Sequence, residues 1–178
     1  MKHKYVEIEK RFGIAIIWMD EQGSKINKIG PDMIETFNPM MDVLEKDPEV
    51  KAAVMISRKK DFIAGADIEA FANVKKEGDW QPIAKKGHEI LNRLEKSKKP
   101  VVAAINGACM GAGLEIALAC AARVASDSPK TILSLPEVKL GLLPGGGGTQ
   151  RLPRLVGIQK ALDMMLTGKN VFAYPAKN

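Results

Sequence analysis

The chain has 178 residues, 46% apolar and 27% charged, with 16 glycines and 10 prolines, which is enough for one well-buried core, short for two, and unlike a disordered segment. Its formal charge of +6 raises the question of nucleic acid, but Lys and Arg are scattered, with no basic helix face, aromatic interleaving or zinc-finger spacing, so no nucleic-acid partner is expected and a phosphorylated small molecule suits the charge as well. The apolar run over residues 12–19 is too short for a secretory signal and carries Glu7 and Glu9 where a basic region would stand; with no segment long enough to span a bilayer, the expectation is a cytoplasmic protein, or one of the mitochondrial matrix if a targeting peptide has been removed.

Residues 5–9 alternate in strand fashion and residues 13–19 form a second β-rich run, which predicts a hairpin turning near residues 10–12. Pro31 suits a helix start, and Met33, Ile34, Phe37, Met41 and Leu44 recur at helical spacing until Asp47-Pro48. Residues 50–57 read as a buried strand. A loop over 58–65 leads to a brief helix beginning near Ala66 or Asp67, and residues 81–96 form the next helix, ended by Lys98-Lys99-Pro100.

Residues 101–105 are continuous and β-branched, as in a strand covered on both faces, and Asn106-Gly107 breaks it. Residues 112–122 are apolar nearly all round, which marks a helix inside the protein. A short strand over 131–135, a glycine-rich turn over 144–148 and a helix over 158–166 closed by Thr167-Gly168 complete the pass. The class is α/β, one domain over residues 1–178, built from strand-strand-helix turns. Cys109 and Cys120 read as small buried hydrophobes in a reducing compartment, and His3 and His88 lack ligand spacing, so no metal site is expected.

The informative anomaly is Glu115, a carboxylate in the apolar run Gly111-Ala112-Gly113-Leu114-Glu115-Ile116-Ala117. Buried, it must be paired, protonated or functional; alternatively it is a first-turn glutamate favoured by the helix dipole and facing solvent. Glu137, after Leu135-Pro136, is of the same kind, with a surface-loop reading beside the functional one. Two such carboxylates over one cavity would push their pKa values apart and give one acid and one base. Ala64-Gly65-Ala66-Asp67 and Gly111-Ala112-Gly113 each precede a predicted helix whose first N–H groups can bind an oxyanion, although either could be turn chemistry alone. The run Gly145-Gly146-Gly147-Gly148-Thr149 lacks the ending of a P-loop and reads as a mobile or closely packed turn.

Taken together, Phe62-Ile63-Ala64-Gly65-Ala66-Asp67-Ile68, Val102-Ala103-Ala104-Ile105-Asn106-Gly107, Gly111 to Glu115, Pro136-Glu137-Val138, Leu143-Pro144-Gly145 and Gly148-Thr149-Gln150-Arg151-Leu152 resemble the crotonase, or enoyl-CoA hydratase, superfamily in the right order. The segment Leu162-Asp163-Met164-Met165-Leu166-Thr167-Gly168 is similar to the N-terminal part of the multifunctional fatty-acid oxidation α subunit. The resemblance implies a crotonase-like spiral of repeated strand-strand-helix units. It assigns the oxyanion hole to the backbone N–H groups of Ala66 and Ala112, and the catalytic pair to Glu115 and Glu137. It assigns acyl-CoA contacts to Ala64, Gly65, Asp67, Ile68 and Gly111, with Lys59 and Lys60 as candidates for the CoA phosphates. Alanine at position 112, where the family usually has glycine, keeps the N–H but adds a methyl expected to face the thioester.

The implied activity is hydration of a trans-2-enoyl-CoA to the 3-hydroxyacyl-CoA in fatty-acid β-oxidation. Enoyl-CoA isomerisation at the same site, or a dead CoA-binding scaffold, are the alternatives. No cofactor is implied for hydration, since coenzyme A belongs to the substrate. NAD enters only with a dehydrogenase region that follows in the multifunctional subunits and is not encoded here. The resemblance also implies a homo-oligomer, a trimer, a thiolase partner for the longer protein, and further C-terminal helices beyond this sequence.

Overall fold

A computed structural model describes residues 3–72 and 80–173, so the two ends of the 1–178 span and the stretch 73–79 lie outside the described residues. The predicted hairpin is present as β1 (Val6–Arg11) and β2 (Ile14–Met19), paired antiparallel. β1 runs longer than its alternation suggests because the reversal is confined to Phe12 and Gly13, at φ 51° and 80°, the left-handed pair that a two-residue hairpin turn requires.

From β2 the chain builds a parallel sheet by repeated crossovers. Helix α1 (Pro31–Lys46) returns it to β3 (Ala52–Ser57). Helices α2 (Ile68–Ala72) and α3 (Trp80–Glu95) precede β4 (Val101–Ile105). Strand β5 (Ala108–Met110) and helix α4 (Ala112–Ala119) lead to β6 (Ala122–Ala125). The five strands lie in the order β1-β2-β3-β4-β6, with Ile17 opposite Met55 and Met55 opposite Ala103. Their inward side chains alternate with half-buried ones, as period-two geometry demands; β4, predicted to be covered on both faces, keeps Val102 and Ala104 only half-buried.

Helix α1 has its predicted bounds. Pro31 stands at its first position, and Met33, Phe37, Met40, Met41 and Leu44 are buried on one face, the 3.6-residue stripe that a core-facing helix needs. Pro39 stands inside the helix without ending it. Helix α3 is tied across to it by Arg93, which reaches Asp42 at 2.9 Å and Glu45 at 2.8 Å.

A second, smaller layer positions the site. Strands β5 and β7 (Ile132–Ser134) pair in parallel, and β8 (Val171–Phe172) joins β7 antiparallel. Parallel bridges Ile63↔Cys109 and Ile29↔Ala66 carry this layer onward through the segments around residues 62–66 and 27–29. From β2 onward each main-sheet strand is thus followed by a short second-layer segment and then a helix or 3-10 turn, the repeated unit of the expected spiral. After β7 come a 3-10 turn (Glu137–Leu140), α5 (Gly148–Val156) and α6 (Ile158–Thr167), the last closed by Gly168 in the left-handed conformation.

Three expectations need correction. The helix predicted over 112–122 ends at Ala119, and Ala122 opens strand β6; the Cys120 N–H caps onto the Ala117 carbonyl with extended backbone. The helix predicted to start near Ala66 or Asp67 starts at Ile68, because Ala66 is held in the second layer. The glycine-rich stretch predicted as a turn runs directly into α5 at Gly148. Among the described residues no helix is long and apolar enough to cross a membrane.

Candidate active site

The site forms where two second-layer segments end and helices begin. Residues 62–66 are stitched on one side to β5, by Phe62 N–H to Ala108 C=O (3.0 Å) and Met110 N–H to Ile63 C=O (3.1 Å). On the other side Ala64 N–H reaches Asn27 C=O, Ile29 N–H reaches Gly65 C=O and Asp67 N–H reaches Ile29 C=O, each at 2.9 Å. In this parallel bridge the flanking Gly65 and Asp67 take the bonds to Ile29, so the N–H of Ala66 points to the opposite side. Gly65 adopts φ 120°, a conformation open to glycine, and a side chain there would meet the Met110 carbonyl.

Gly111 holds the equivalent place one strand over. Its N–H bonds Ser134 C=O at 2.9 Å and its C=O accepts Glu115 N–H at 3.0 Å, closing the first turn of α4. Ala112 is the first residue of that helix, where the N–H has no intrahelical partner. Ala112 is half-buried and packs against the core.

The two sequence-predicted carboxylates occupy opposite kinds of environment. Glu115 is 2% exposed. Its Oε1 accepts the N–H of Gly146 at 2.7 Å and of Gly148 at 2.8 Å. Burial pushes its pKa up, and the two N–H groups and the nearby Arg151 guanidinium oppose that rise. Glu137 is half-buried at the start of the 3-10 turn, and its Oε2 is buried without a hydrogen-bond partner. Its carboxyl is pushed up to about 7, first by burial and further by the charge of Glu115, with a backbone N–H pulling the other way. A side chain at Gly111 would come within 3.2 Å of Glu137 Oε1 and 3.8 Å of Gly65 Cα, so Glu137, Gly65 and Gly111 converge on one spot.

The glycine run, read from the sequence as a mobile or closely packed turn, is packed against Glu115 and supplies two hydrogen-bond donors to it. Sequence reasoning missed Gly146 and Gly148 as functional positions, because backbone donors leave no side-chain signal beyond the glycines that let them approach. Asn27 was missed as well. It is 1% exposed; its Nδ2 lies within bonding distance of Met19 C=O (3.2 Å), Ser57 Oγ (2.9 Å) and Phe62 C=O (3.0 Å), and its Oδ1 accepts Glu21 N–H (2.9 Å), so it anchors the base of the 62–66 segment.

The residues suggested for CoA, with Ala66 of the expected oxyanion hole, divide. Ala64 is half-buried, Gly65 and Gly111 are buried, and Ala66 and Ile68 are exposed. Asp67 accepts Ala70 N–H at the start of α2 and pairs with Lys28 at 2.7 Å, which holds its carboxyl below the usual carboxylate range. Lys59 is turned inward, its Nζ donating to the carbonyls of Glu21 and Ser24 near the Asp20 carboxylate. Lys60 is exposed. Cys109 and Cys120 are buried free thiols, and no cluster of His, Cys, Asp and Glu able to hold a metal occurs among the described residues.

The sequence profile described as Enoyl-CoA hydratase/isomerase matches residues 9–178. The chain belongs to the enoyl-CoA hydratase/isomerase family. Among curated relatives, the fatty acid oxidation complex subunit alpha of Shewanella sp. (strain W3-18-1) is 54% identical over 160 residues, which is 89% of this chain and 23% of that protein; the chain spans about a quarter of the length of such relatives. An enoyl-CoA hydratase structure from Geobacillus kaustophilus HTA426 superposes with a TM-score of 0.91 at 34% identity, covering 97% of this chain and 64% of that one. The enoyl-CoA hydratase of Thermoplasma volcanium GSS1 gives 0.89 at 31%, covering 98% and 68%. This family's crotonase fold is the spiral described above. Within an enoyl-CoA hydratase/isomerase domain, a strand-bridge N–H at Ala66, a helix-start N–H at Ala112 and two carboxylates can polarise a carbonyl and move protons.

Proposed function

We propose that this domain hydrates trans-2-enoyl-CoA thioesters to 3-hydroxyacyl-CoA, with Glu115 as general base and Glu137 as general acid. The observation that carries the assignment is the contrast between the acids. Glu115 Oε1 is fixed by two backbone donors, which favour its charged form, whereas Glu137 has a buried Oε2 without a partner and a pKa raised to about 7, which suits it to hold a proton at neutral pH. Burial raises the pKa of both carboxyls, so the division into base and acid rests on the hydrogen bonds: Glu115 carries two main-chain donors that oppose the rise, whereas Glu137 Oε2 has none.

In the proposed reaction the thioester oxygen is received by the N–H groups of Ala66 and Ala112. Glu115 takes a proton from water as the water oxygen bonds the β-carbon. The C=C electrons move to the thioester oxygen as an enolate, which the two N–H donors stabilise; loss of one such donor typically costs about 3–4 kcal/mol. Glu137 then delivers its proton to the α-carbon. The proton gained by Glu115 passes to Glu137 or to solvent and resets the pair. Ala64, Gly65, Asp67, Ile68, Gly111 and the exposed Lys60 are the proposed acyl-CoA contacts. Lys59 is committed to the 20–24 loop and would act through that loop. The relatives' name assigns them to a fatty acid oxidation complex, and we extend that pathway, with homo-oligomerisation and a thiolase partner, to this domain.

Isomerisation needs one carboxyl beside the oxyanion donors to carry a proton between the α- and γ-carbons, and Glu137 lies against Gly111 at the start of α4. Assays of Glu115→Gln with a 2-enoyl-CoA and with a 3-enoyl-CoA separate the two activities. Loss of hydration is expected. Undiminished hydration would overturn the base assignment, and retained isomerisation would identify Glu137 as sufficient for the proton shift.

A further inference from the structure

The two N–H groups that hold Glu115 belong to a run of four glycines, whose backbone has no side chains of its own to fix it. What restrains it comes from the next helix. Arg151 Nη1 donates to Gly146 C=O at 3.0 Å, so Gly146 is bonded through its N–H to Glu115 and through its C=O to Arg151. The N–H of Arg151 reaches Gly147 C=O at 3.0 Å, the carbonyl of the same peptide unit whose N–H belongs to Gly148 and binds Glu115.

The guanidinium is itself gripped from the far side. Nη2 donates to Asn92 Oδ1 at 2.9 Å, and Nε and Nη2 reach Glu95 Oε2 at 3.1 and 3.0 Å. Asn92 and Glu95 stand three residues apart on α3, hence on one face. The Arg151 side chain is 9% exposed and crosses so close over Gly147, which has φ 95°, that a Cβ there would collide with Nη1. A planar fork with this many bonds fixes orientation in a way that a single ammonium cannot.

We infer that Arg151 is a positioning residue for Glu115: by clamping the glycine run to Asn92 and Glu95 of α3, it keeps the Gly146 and Gly148 N–H groups aimed at the carboxylate without itself touching substrate. The inference rests on the reading of Glu115 as the base. The groups facing Glu115 are Arg151 from α5 and Glu137 from the 3-10 turn, with His88 of α3 beside Gly147. Removing the clamp withdraws a cation and loosens two donors, and both changes favour the protonated form of Glu115.

The test is a carboxyl titration in the full-length protein labelled with 13C at the glutamate carboxyls, the Glu115 signal being assigned by its loss in Glu115→Gln. In Arg151→Met the Glu115 carboxyl should titrate about one pH unit higher or more, a tenfold gain in proton affinity. Arg151→Lys should move it in the same direction by less, and Glu95→Gln by less again. The acid limb of the hydration kcat should follow, with KM changed less than kcat. If Arg151→Met does not fold, the Lys and Gln variants carry the comparison. An unmoved Glu115 titration in a folded Arg151→Met or Arg151→Lys protein overturns the inference. Failure of the functional reading is distinct: Glu115→Gln would keep its turnover while the Arg151 variants still moved the titration.

Discussion

Gly113 lies so close to Ile63 that a Cβ on it would stand 2.5 Å from the Ile63 carbonyl oxygen and 2.7 Å from the Ile63 Cβ. This contact brings the 62–66 segment against the start of α4. The obstacle to any side chain is backbone, which cannot swing aside. Gly113→Ala should therefore cost roughly 1–3 kcal/mol, as overpacking does, and reduce hydration more than the loss of folded protein explains. Thermal unfolding and turnover on a 2-enoyl-CoA check this, and a variant with both unchanged would show that the segments can separate without consequence.

Glu115→Gln and Glu137→Gln should each lower kcat by about 10²- to 10⁴-fold, the usual contribution of a general acid or base, while leaving CoA-thioester affinity nearly unchanged. Groups that exchange a proton in one proposed cycle and feel each other's charge are not independent. The double variant should lose less than the product of the single losses. A product-sized loss would mean that the two carboxyls act independently of one another.

The raised pKa of Glu137 has a consequence for stability. Its folded value of about 7 lies above the ordinary 4.5, so between those values the folded protein binds more protons than the unfolded chain. Stability from this group is present below about 4.5 and is lost as pH rises through 7. Glu137→Gln removes that dependence. The wild type should lose more stability than the variant between pH 5 and pH 8 in chemical denaturation, and the hydration rate should fall on the alkaline side as Glu137 gives up its proton. Parallel stability profiles for the two proteins would contradict the assignment.

Asn27→Ala deletes a buried amide that serves Met19, Ser57, Phe62 and Glu21 at once. Leaving a buried polar group without its partner costs about 1–3 kcal/mol, and several lose theirs here, so a loss near the top of that range is expected. Asn27→Asp should not rescue it, since a carboxylate cannot donate to the carbonyls of Met19 and Phe62. Denaturation midpoints of the two variants make the comparison.

Ala112→Gly should stay folded and active. The methyl packs against the core, so the variant should lose less than about 1 kcal/mol, the full propensity difference applying only in a helix interior, while the N–H proposed to receive the thioester oxygen is retained. Collapse of turnover would give the methyl a role in the site.

What was legible in the sequence was what side chains announce. Helix α1 carries Pro31 at its start and an apolar stripe along its length, and its bounds were found. Glu115 stood out because a carboxylate in an apolar helix is costly to bury. Strands β5 and β6 were not found, since Ala108–Met110 and Ala122–Ala125 are too short and too poor in large residues to show a period. Helix α5 was hidden by the glycines at its start and by Pro153 within it. The inward turn of Lys59 depends on carbonyls of a loop distant in sequence, and no local pattern encodes that.

Because Glu115 is held by main-chain donors, an alanine scan will not find its ligands by deleting a polar group. It will meet them as crowding: at Gly146 a new methyl would press within 2.7 Å of Glu115 Oε2, and at Gly148 within 3.0 Å of Oε1. In a saturation library these two positions should behave alike, rejecting every residue type whatever its polarity, and should do so in a selection for growth on fatty acids more strongly than in one for abundance. A position intolerant to all side chains beside a buried carboxylate then becomes the genetic signature of a backbone group at work.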